Sequence, residues 1–198
     1  MRRLILFFAM IASVAASAAS DEAALRRLRD VEQRLHLTPS YKVRFTLVAD
    51  GVSGEGVLHV EGENSYLLFG AEEVYIEEGV RYIVGIDKRE VVIDNNSAYR
   101  HDLFSNPSLG FKALLSDYET TFATLDGRCV LMLRPKGSAT LDEAIYLFVR
   151  DDASIEQIVV GSGDVRLIIT PHTVEHNAGS VPRYSSARYA GFEVMDFR

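Results

Sequence analysis

The residues of this sequence that could do acid–base or metal chemistry are few and far apart. Of the five histidines, only His172 and His176 have a spacing that metal ligands use. A metal site needs a further ligand nearby, and the sequence supplies none there. The paired acids Glu77-Glu78 and Asp151-Asp152 lie at predicted turns, where their carboxylates would be solvated. We therefore expect no metal and no cofactor.

Nucleophilic and phosphate-binding motifs are also missing from the sequence. It has no Gly-x-Ser-x-Gly, no His-Glu-x-x-His and no phosphate loop. Cys129 is the only cysteine and lies in the apolar run Cys129-Val130-Leu131-Met132-Leu133, which predicts a small buried residue rather than a nucleophile. We expect the protein not to be an enzyme, and a catalytic site assembled from distant strands is the alternative.

The N-terminus has the three parts of a secretory signal peptide. A positive Met1-Arg2-Arg3 precedes the apolar run from Leu4 to Ala16, and Ala16-Ser17-Ala18 is a small-residue cleavage pattern. We expect residues 1–18 to be removed and residues 19–198 to form one domain. No later segment reaches the length of an apolar membrane span, so we expect the mature chain to be soluble.

Charge excludes two classes of partner. Removing the signal peptide leaves 19 basic and 28 acidic side chains, a net charge of −9, with no cluster of Lys and Arg. Such a chain is a poor candidate for binding nucleic acid or an anionic membrane surface.

The rest of the chain alternates as short strands joined by tight turns. Tyr41 to Ala49 and most of Gly54 to Asp94 have a period of two, with Glu78-Gly79 and Asp126-Gly127 among the turns. An amphipathic helix is predicted over Asp21 to Leu37. A second helix should begin at Asn106-Pro107 and end near Tyr118, and the polar stretch from His172 to Tyr189 is predicted to be loop.

These elements predict a mainly β fold of the α+β type, an unclosed antiparallel barrel of about eleven strands with helices covering its mouth. Apolar side chains on its inner face form either an ordinary core or the lining of a cavity under the helices. Burying an acyl chain is worth about 0.8 kcal/mol per methylene, so such a cavity could hold a lipid. The predicted cavity and lid residues are Phe45, Leu47, Leu58, Val60, Leu67, Phe69, Val74, Ile76, Tyr82, Val91, Ile93, Leu109, Phe111, Leu114 and Leu115.

The order of these features resembles the LolA-like outer-membrane lipoprotein carrier family (the LolA/LolB superfamily). Gly54-Glu55-Gly56-Val57-Leu58 is similar to the family's Gly-x-Gly-x-Leu strand, and Asn106-Pro107 to Leu115 stands where the family has a lid helix. Other segments that resemble it are Tyr41 to Phe45, Ile76 to Val84, Arg89 to Ile93 and Phe192 to Arg198.

This resemblance implies a monomeric periplasmic chaperone that shields the acyl chains of lipoproteins in an apolar cavity. It implies three partners: acylated lipoproteins, an inner-membrane lipoprotein-releasing transporter and an outer-membrane acceptor. A sensing module of the same fold, which binds amphiphiles or lipoproteins, is the alternative. The family often closes its lid with the Arg of an Arg-Pro pair, where this chain has Gly62-Glu63. Arg44 and Arg81 are the candidate substitutes.

Overall fold

The structure is a computed structural model and describes residues 21–36, 38–49, 51–95, 113–136, 144–161 and 166–198. The predicted signal peptide at residues 1–18 lies outside these ranges, as does most of the predicted central helix, of which residues 113–117 are described and helical. Within the described residues, no helix combines the length and the apolar character needed to cross a membrane.

The described chain forms the helix α1, the short helical segment 113–117 and a single sheet of twelve strands. The sheet is open, with β12 at one edge and β7 at the other, in the order β12-β6-β5-β4-β3-β2-β1-β11-β10-β9-β8-β7. The elements are α1 (Asp21–His36), β1 (Ser40–Ala49), β2 (Val52–Glu61), β3 (Asn64–Phe69), β4 (Glu72–Glu77), β5 (Val80–Gly85), β6 (Glu90–Asn95), β7 (Tyr118–Leu125), β8 (Arg128–Pro135), β9 (Ile145–Val149), β10 (Ile155–Val160), β11 (Leu167–His176) and β12 (Glu193–Asp196).

The predicted fold class is confirmed: the protein is mostly β, with one open sheet like an unclosed barrel. Two details differ from the prediction. The described residues form twelve strands rather than about eleven, and β12 runs parallel to β6, whereas the other pairs are antiparallel.

Two hairpin turns are as the sequence predicts. Glu78 and Gly79 both have positive φ, at 50° and 84°, and Asp126 and Gly127 have φ of 50° and 76°. Two consecutive residues of positive φ make the tight turn whose twist matches that of antiparallel strands. These turns fix the register of β4 with β5 and of β7 with β8.

Helix α1 packs on one face of the sheet, which we call the inner face. Leu28 and Val31, both on the predicted apolar stripe, are fully buried against Leu131, Leu133 and Leu147 of β8 and β9. This cluster of inner-face side chains is a filled core under the N-terminal part of the helix.

The opposite, outer face is covered on one half of the sheet by the chain's own C-terminus. Residues 177–192, which we call the strap, leave β11 and cross the outer face to reach the β6 edge. The strap begins where the Asn177 amide donates to Ser40 O (2.8 Å) and ends where the Glu193 amide donates to Arg89 O (2.9 Å).

Two sequence predictions are wrong in this part of the fold. Cys129 is exposed rather than buried, because it pairs with Thr124 near the tip of the β7–β8 hairpin at the edge of the sheet. The stretch from His172 to His176 belongs to β11 and pairs with β1, although the sequence predicts a loop there. The sequence predicts a loop here because the side chains of this part of the strand are polar and exposed.

Candidate functional site

A cavity of about 400 Å³ lies between the second half of α1 and the inner face of the sheet. Its walls come from α1, from β1 and β2, from β10 and β11, and from the turn 150–154 that joins β9 to β10. The filled core under the first half of α1 ends at Val31 and Leu35, which form one side of the cavity. The same helix therefore covers a packed region and an open one.

The floor of the cavity is apolar and belongs to the sheet. Tyr41, Val43 and Phe45 alternate along β1 and face it, with Tyr41 and Phe45 almost fully buried. Burial raises the pKa of Tyr41, so its hydroxyl stays neutral. The other apolar lining residues are Leu58, Ile155, Ile158, Ile169, Pro171 and Val174.

Two glycines of β2 let aromatic rings lie flat on the inner face. Phe45 pairs with Gly56, and a Cβ on Gly56 would overlap its ring. A Cβ on Gly54 would come within 2.7 Å of the Phe69 ring. The two rings are parallel, with centroids 6.4 Å apart. The Gly-x-Gly spacing thus sets how far the Phe45 ring projects into the cavity.

The exposed residues of the cavity lining surround its mouth, and most of them are polar. Arg150 and Asp152 of the turn, together with His176 and Val174 at the end of β11, are exposed lining residues. His176 Nδ1 is 3.2 Å from Thr38 Oγ1, which joins the end of α1 to β11. His172 occupies the bulge where β11 shifts register against β1, and its ring hydrogen-bonds Thr46.

Two arginines of α1 fasten the helix to the turn at the mouth. Arg27 donates to the backbone oxygens of Arg150 and Asp151, and Arg34 donates to Asp152 O at 3.0 Å. Arg34 also forms an ion pair with the Asp152 carboxylate at 3.3 Å. Hydrogen bonds from Ser154 and the charge of Arg34 lower the pKa of Asp152. These contacts hold α1 over the cavity.

The predicted cavity residues divide into four groups in the structure. Phe45 and Leu58 line the cavity. Leu47, Val60, Leu67, Phe69, Val74 and Ile76 share their face of the sheet by register but lie outside the lining. Leu114 and Leu115 pack in the filled core with α1 instead of facing the cavity. Leu109 and Phe111 lie outside the described residues.

Tyr82, Val91 and Ile93 are on the outer face, which corrects the prediction that they face the cavity. Tyr82 pairs with Tyr75 and Ile93, so these three side chains share one face of the sheet. Val74, by contrast, pairs with Ile83 and points to the inner face. β4 to β6 carry apolar residues on both faces because the strap buries the outer one.

The two candidates for the lid-closing arginine lie on opposite faces of the sheet. Arg44 is exposed on the outer side of β1. Arg81 is buried on the inner side of β5 and forms a two-bond ion pair with Asp94, with Nη2 to Oδ2 at 2.6 Å. The arginines that hold the helix are Arg27 and Arg34 of α1, which the sequence analysis did not single out.

A buried carboxylate on the outer face is the other cluster of ionisable groups. Glu73 accepts hydrogen bonds from Tyr66 (3.0 Å), Tyr75 (3.1 Å) and Tyr189, and forms an ion pair with Arg188 at 2.7 Å. Burial would raise the pKa of Glu73, but these hydrogen bonds and the Arg188 charge outweigh it and lower the pKa. The carboxylate is thus surrounded by two tyrosines of the sheet and by Tyr189 and Arg188 of the strap.

The tyrosines of this cluster titrate far above neutral pH. Burial, followed by the hydrogen bond to Glu73, raises the pKa of Tyr189 to about 12. Burial also raises the pKa of Tyr66 and Tyr75. Tyr184 of the strap stacks on Tyr82 with ring centroids 4.2 Å apart. The strap and the sheet fill this face with direct contacts. Its ionisable groups therefore stabilise the fold.

No protein-family model matches the chain, and no curated protein sequence matches it. Among solved structures, an uncharacterized conserved protein from Thermus thermophilus has a TM-score of 0.54 at 12% identity, covering 88% of this chain and 99% of that chain. The likeness is one of fold.

Two other solved structures are similar at lower scores. The complex of Pseudomonas aeruginosa MucA/MucB gives a TM-score of 0.46 at 16% identity, covering 85% of this chain and 61% of that chain. A putative outer membrane lipoprotein-sorting protein domain from Vibrio parahaemolyticus gives 0.39 at 10% identity, covering 86% and 97%. These two scores carry no argument about this chain.

Proposed function

We propose that this protein binds the acyl part of an amphiphile in the inner-face cavity and carries it through an aqueous compartment. The cavity itself is the observation that supports this: about 400 Å³, apolar at the floor and open at a polar mouth. Ligand pockets of this kind measure about 300–1,000 Å³. Each buried methylene contributes about 0.8 kcal/mol, so an acyl chain needs little polar recognition to bind.

The more specific form of this proposal follows the family resemblance. There the cargo is an acylated lipoprotein, taken from an inner-membrane lipoprotein-releasing transporter and given to an outer-membrane acceptor in the periplasm. The protein would act as a monomeric chaperone and catalyse no reaction. The exposed end of β11 and the turn 150–154 are the surfaces beside which cargo would enter.

An uncharged fluorescent apolar probe, N-phenylnaphthylamine, tests the basic proposal. It should bind the wild-type protein with an increase in fluorescence. Val174→Trp should weaken binding about tenfold or more, because the larger ring blocks the mouth. Val174 is 47% exposed, so this variant should fold normally.

Val194→Trp is the matched control. Val194 is 55% exposed, on β12 at the far edge of the sheet. It should bind the probe as the wild type does. Equal binding by both variants, or no binding by the wild type, would refute the cavity as the site.

A carrier and a sensor differ in whether they release their ligand. Protein loaded with a fluorescent acyl ligand should transfer it to lipid vesicles, with a rate that rises with vesicle concentration. Retention of the ligand in the presence of excess vesicles would favour the sensing alternative over a carrier.

A further inference from the structure

We infer that the cavity takes an amphiphile with a single acyl chain and an anionic head group, a carboxylate or a phosphate, and that Arg150 contacts this head group at the mouth. The inference rests on the proposed function and narrows it to one class of ligand. Three observations carry it: the volume of the cavity, the Arg150 guanidinium that no described carboxylate contacts directly, and the excess of positive charge among the lining residues.

The volume admits one chain. Ligand pockets measure about 300–1,000 Å³, and this cavity, at about 400 Å³, is at the small end of that range. A space of this size suits one acyl chain of medium length better than two.

Among the described residues, Arg150 is the cation at the mouth whose guanidinium no carboxylate contacts directly. Arg34 is paired with Asp152, and Arg128 outside the lining is paired with Glu156 at 2.8 Å. Within the parts of the chain that are described, the Arg150 guanidinium donates no hydrogen bond and forms no ion pair at contact distance, and its charge acts on the carboxylates of Asp152 and Glu156 only from farther away. Its planar group of donors suits a carboxylate or a phosphate.

The backbone of Arg150 is held in place from three sides. Its amide donates to Ser154 O at 2.9 Å, and its carbonyl accepts from the Ala153 amide at 2.8 Å and from the Arg27 guanidinium. A side chain on a fixed backbone loses less conformational freedom when it binds, so less of the binding energy is spent on ordering.

The charge around the mouth has the opposite sign to that of the whole protein. Of the charged residues that line the cavity, Arg34 and Arg150 are basic and Asp152 is acidic, which leaves one positive charge. The chain as a whole has a net charge of −7. A positive spot on an acidic protein attracts anionic ligands and disfavours cationic ones.

Three probes of equal chain length separate head-group recognition from burial of the chain. Myristate, myristyl alcohol and tetradecyltrimethylammonium, each below its micelle concentration, should displace N-phenylnaphthylamine at neutral pH. Myristate should bind about tenfold more tightly than the alcohol, the preference that one charge-assisted hydrogen bond provides. The cation should bind most weakly. Myristoyl-lysophosphatidate should bind like myristate, or more tightly if phosphate is the natural head group.

Arg150→Gln should remove the preference for myristate and leave binding of the alcohol unchanged. Arg44→Gln makes the same change of charge on the outer side of β1 and should change neither value. A tenfold loss specific to Arg150→Gln supports the inference.

Equal binding of myristate and the alcohol, or an unchanged preference in Arg150→Gln, would overturn the head-group inference and leave the carrier proposal standing. Failure of all the probes to bind would overturn both. Tight binding of a diacyl lipid with both chains protected would contradict the limit of one chain.

Discussion

The two faces of this sheet are built from neighbouring residues and are used in opposite ways. On the outer face, the strap packs Tyr184 and Tyr189 onto the sheet, and Arg188 and Tyr189 add hydrogen bonds to Glu73. On the inner face, α1 fills the sheet at Leu28 and leaves about 400 Å³ open beyond Val31. Within β4, Val74 belongs to one face and Tyr75 to the other.

This difference indicates which face of the sheet determines stability and which determines binding. A face with every polar group paired and every ring in contact resists change, since truncating a buried side chain loses both packing and hydrogen bonds. A face that borders open space loses less contact on truncation. We therefore expect outer-face substitutions to change stability and inner-face substitutions at the cavity to change binding.

The largest difference should come from truncating one residue on each face. Tyr75→Ala should lower the free energy of unfolding by about 3–5 kcal/mol, because the ring is fully buried among packed neighbours. Ile158→Ala, at the half-buried cavity wall, should cost below about 2 kcal/mol. Urea denaturation measures both. Equal costs would remove the distinction between the faces.

Acid should weaken the contacts between the strap and the outer face of the sheet. The pKa of Glu73 is lower in the folded protein than its ordinary value of 4.5. The ionised Glu73 carboxylate therefore contributes fully to the free energy of unfolding above pH 4.5. This contribution is lost as the pH falls through the pKa of the folded protein. Glu73→Gln should cost about 1.5–3 kcal/mol at neutral pH, and the difference from wild type should shrink in acid.

Thermal unfolding at several pH values would show this trend. Glu119→Gln is the control, since Glu119 is an exposed residue paired with Arg134, and its loss should cost below about 1 kcal/mol. If the cost of Glu73→Gln did not depend on pH, the result would contradict an ionised Glu73 in contact with the strap.

A smaller effect should follow from adding one methyl group under Phe45. Gly56→Ala should push the Phe45 ring into the cavity, reduce probe binding and cost about 1–3 kcal/mol. Gly85→Ala is the matched control in another strand, because its Cβ would meet Lys88 at an ordinary 3.7 Å. It should change neither binding nor stability. Unchanged probe binding in Gly56→Ala would place the ligand away from Phe45.

The sequence predicts the parts of the fold that depend on local patterns. The alternation of Tyr41, Val43 and Phe45 put these residues correctly on one face, and Glu78-Gly79 is the predicted turn. It could not assign the faces of β5 and β6, because Tyr82 and Ile83 are both apolar and only strand pairing separates them.

The site was harder to predict than the fold because its mouth comes from distant segments. The sequence predicts that Asp151-Asp152 is a pair of solvated turn acids, and it predicts no role for Arg150. Only folding brings α1 to this turn. His176 lies on a strand whose exposed polar end resembles a loop. The alternation of Val174 and His176 with Thr173 and Glu175 is the signal that could have extended β11.

A series of carboxylates of increasing chain length tests the central claim most directly, by displacement of N-phenylnaphthylamine from the wild-type protein. The account predicts that affinity rises about fourfold with each added methylene and levels off once the chain fills the cavity. Affinity that does not depend on chain length would contradict a cavity that binds acyl chains.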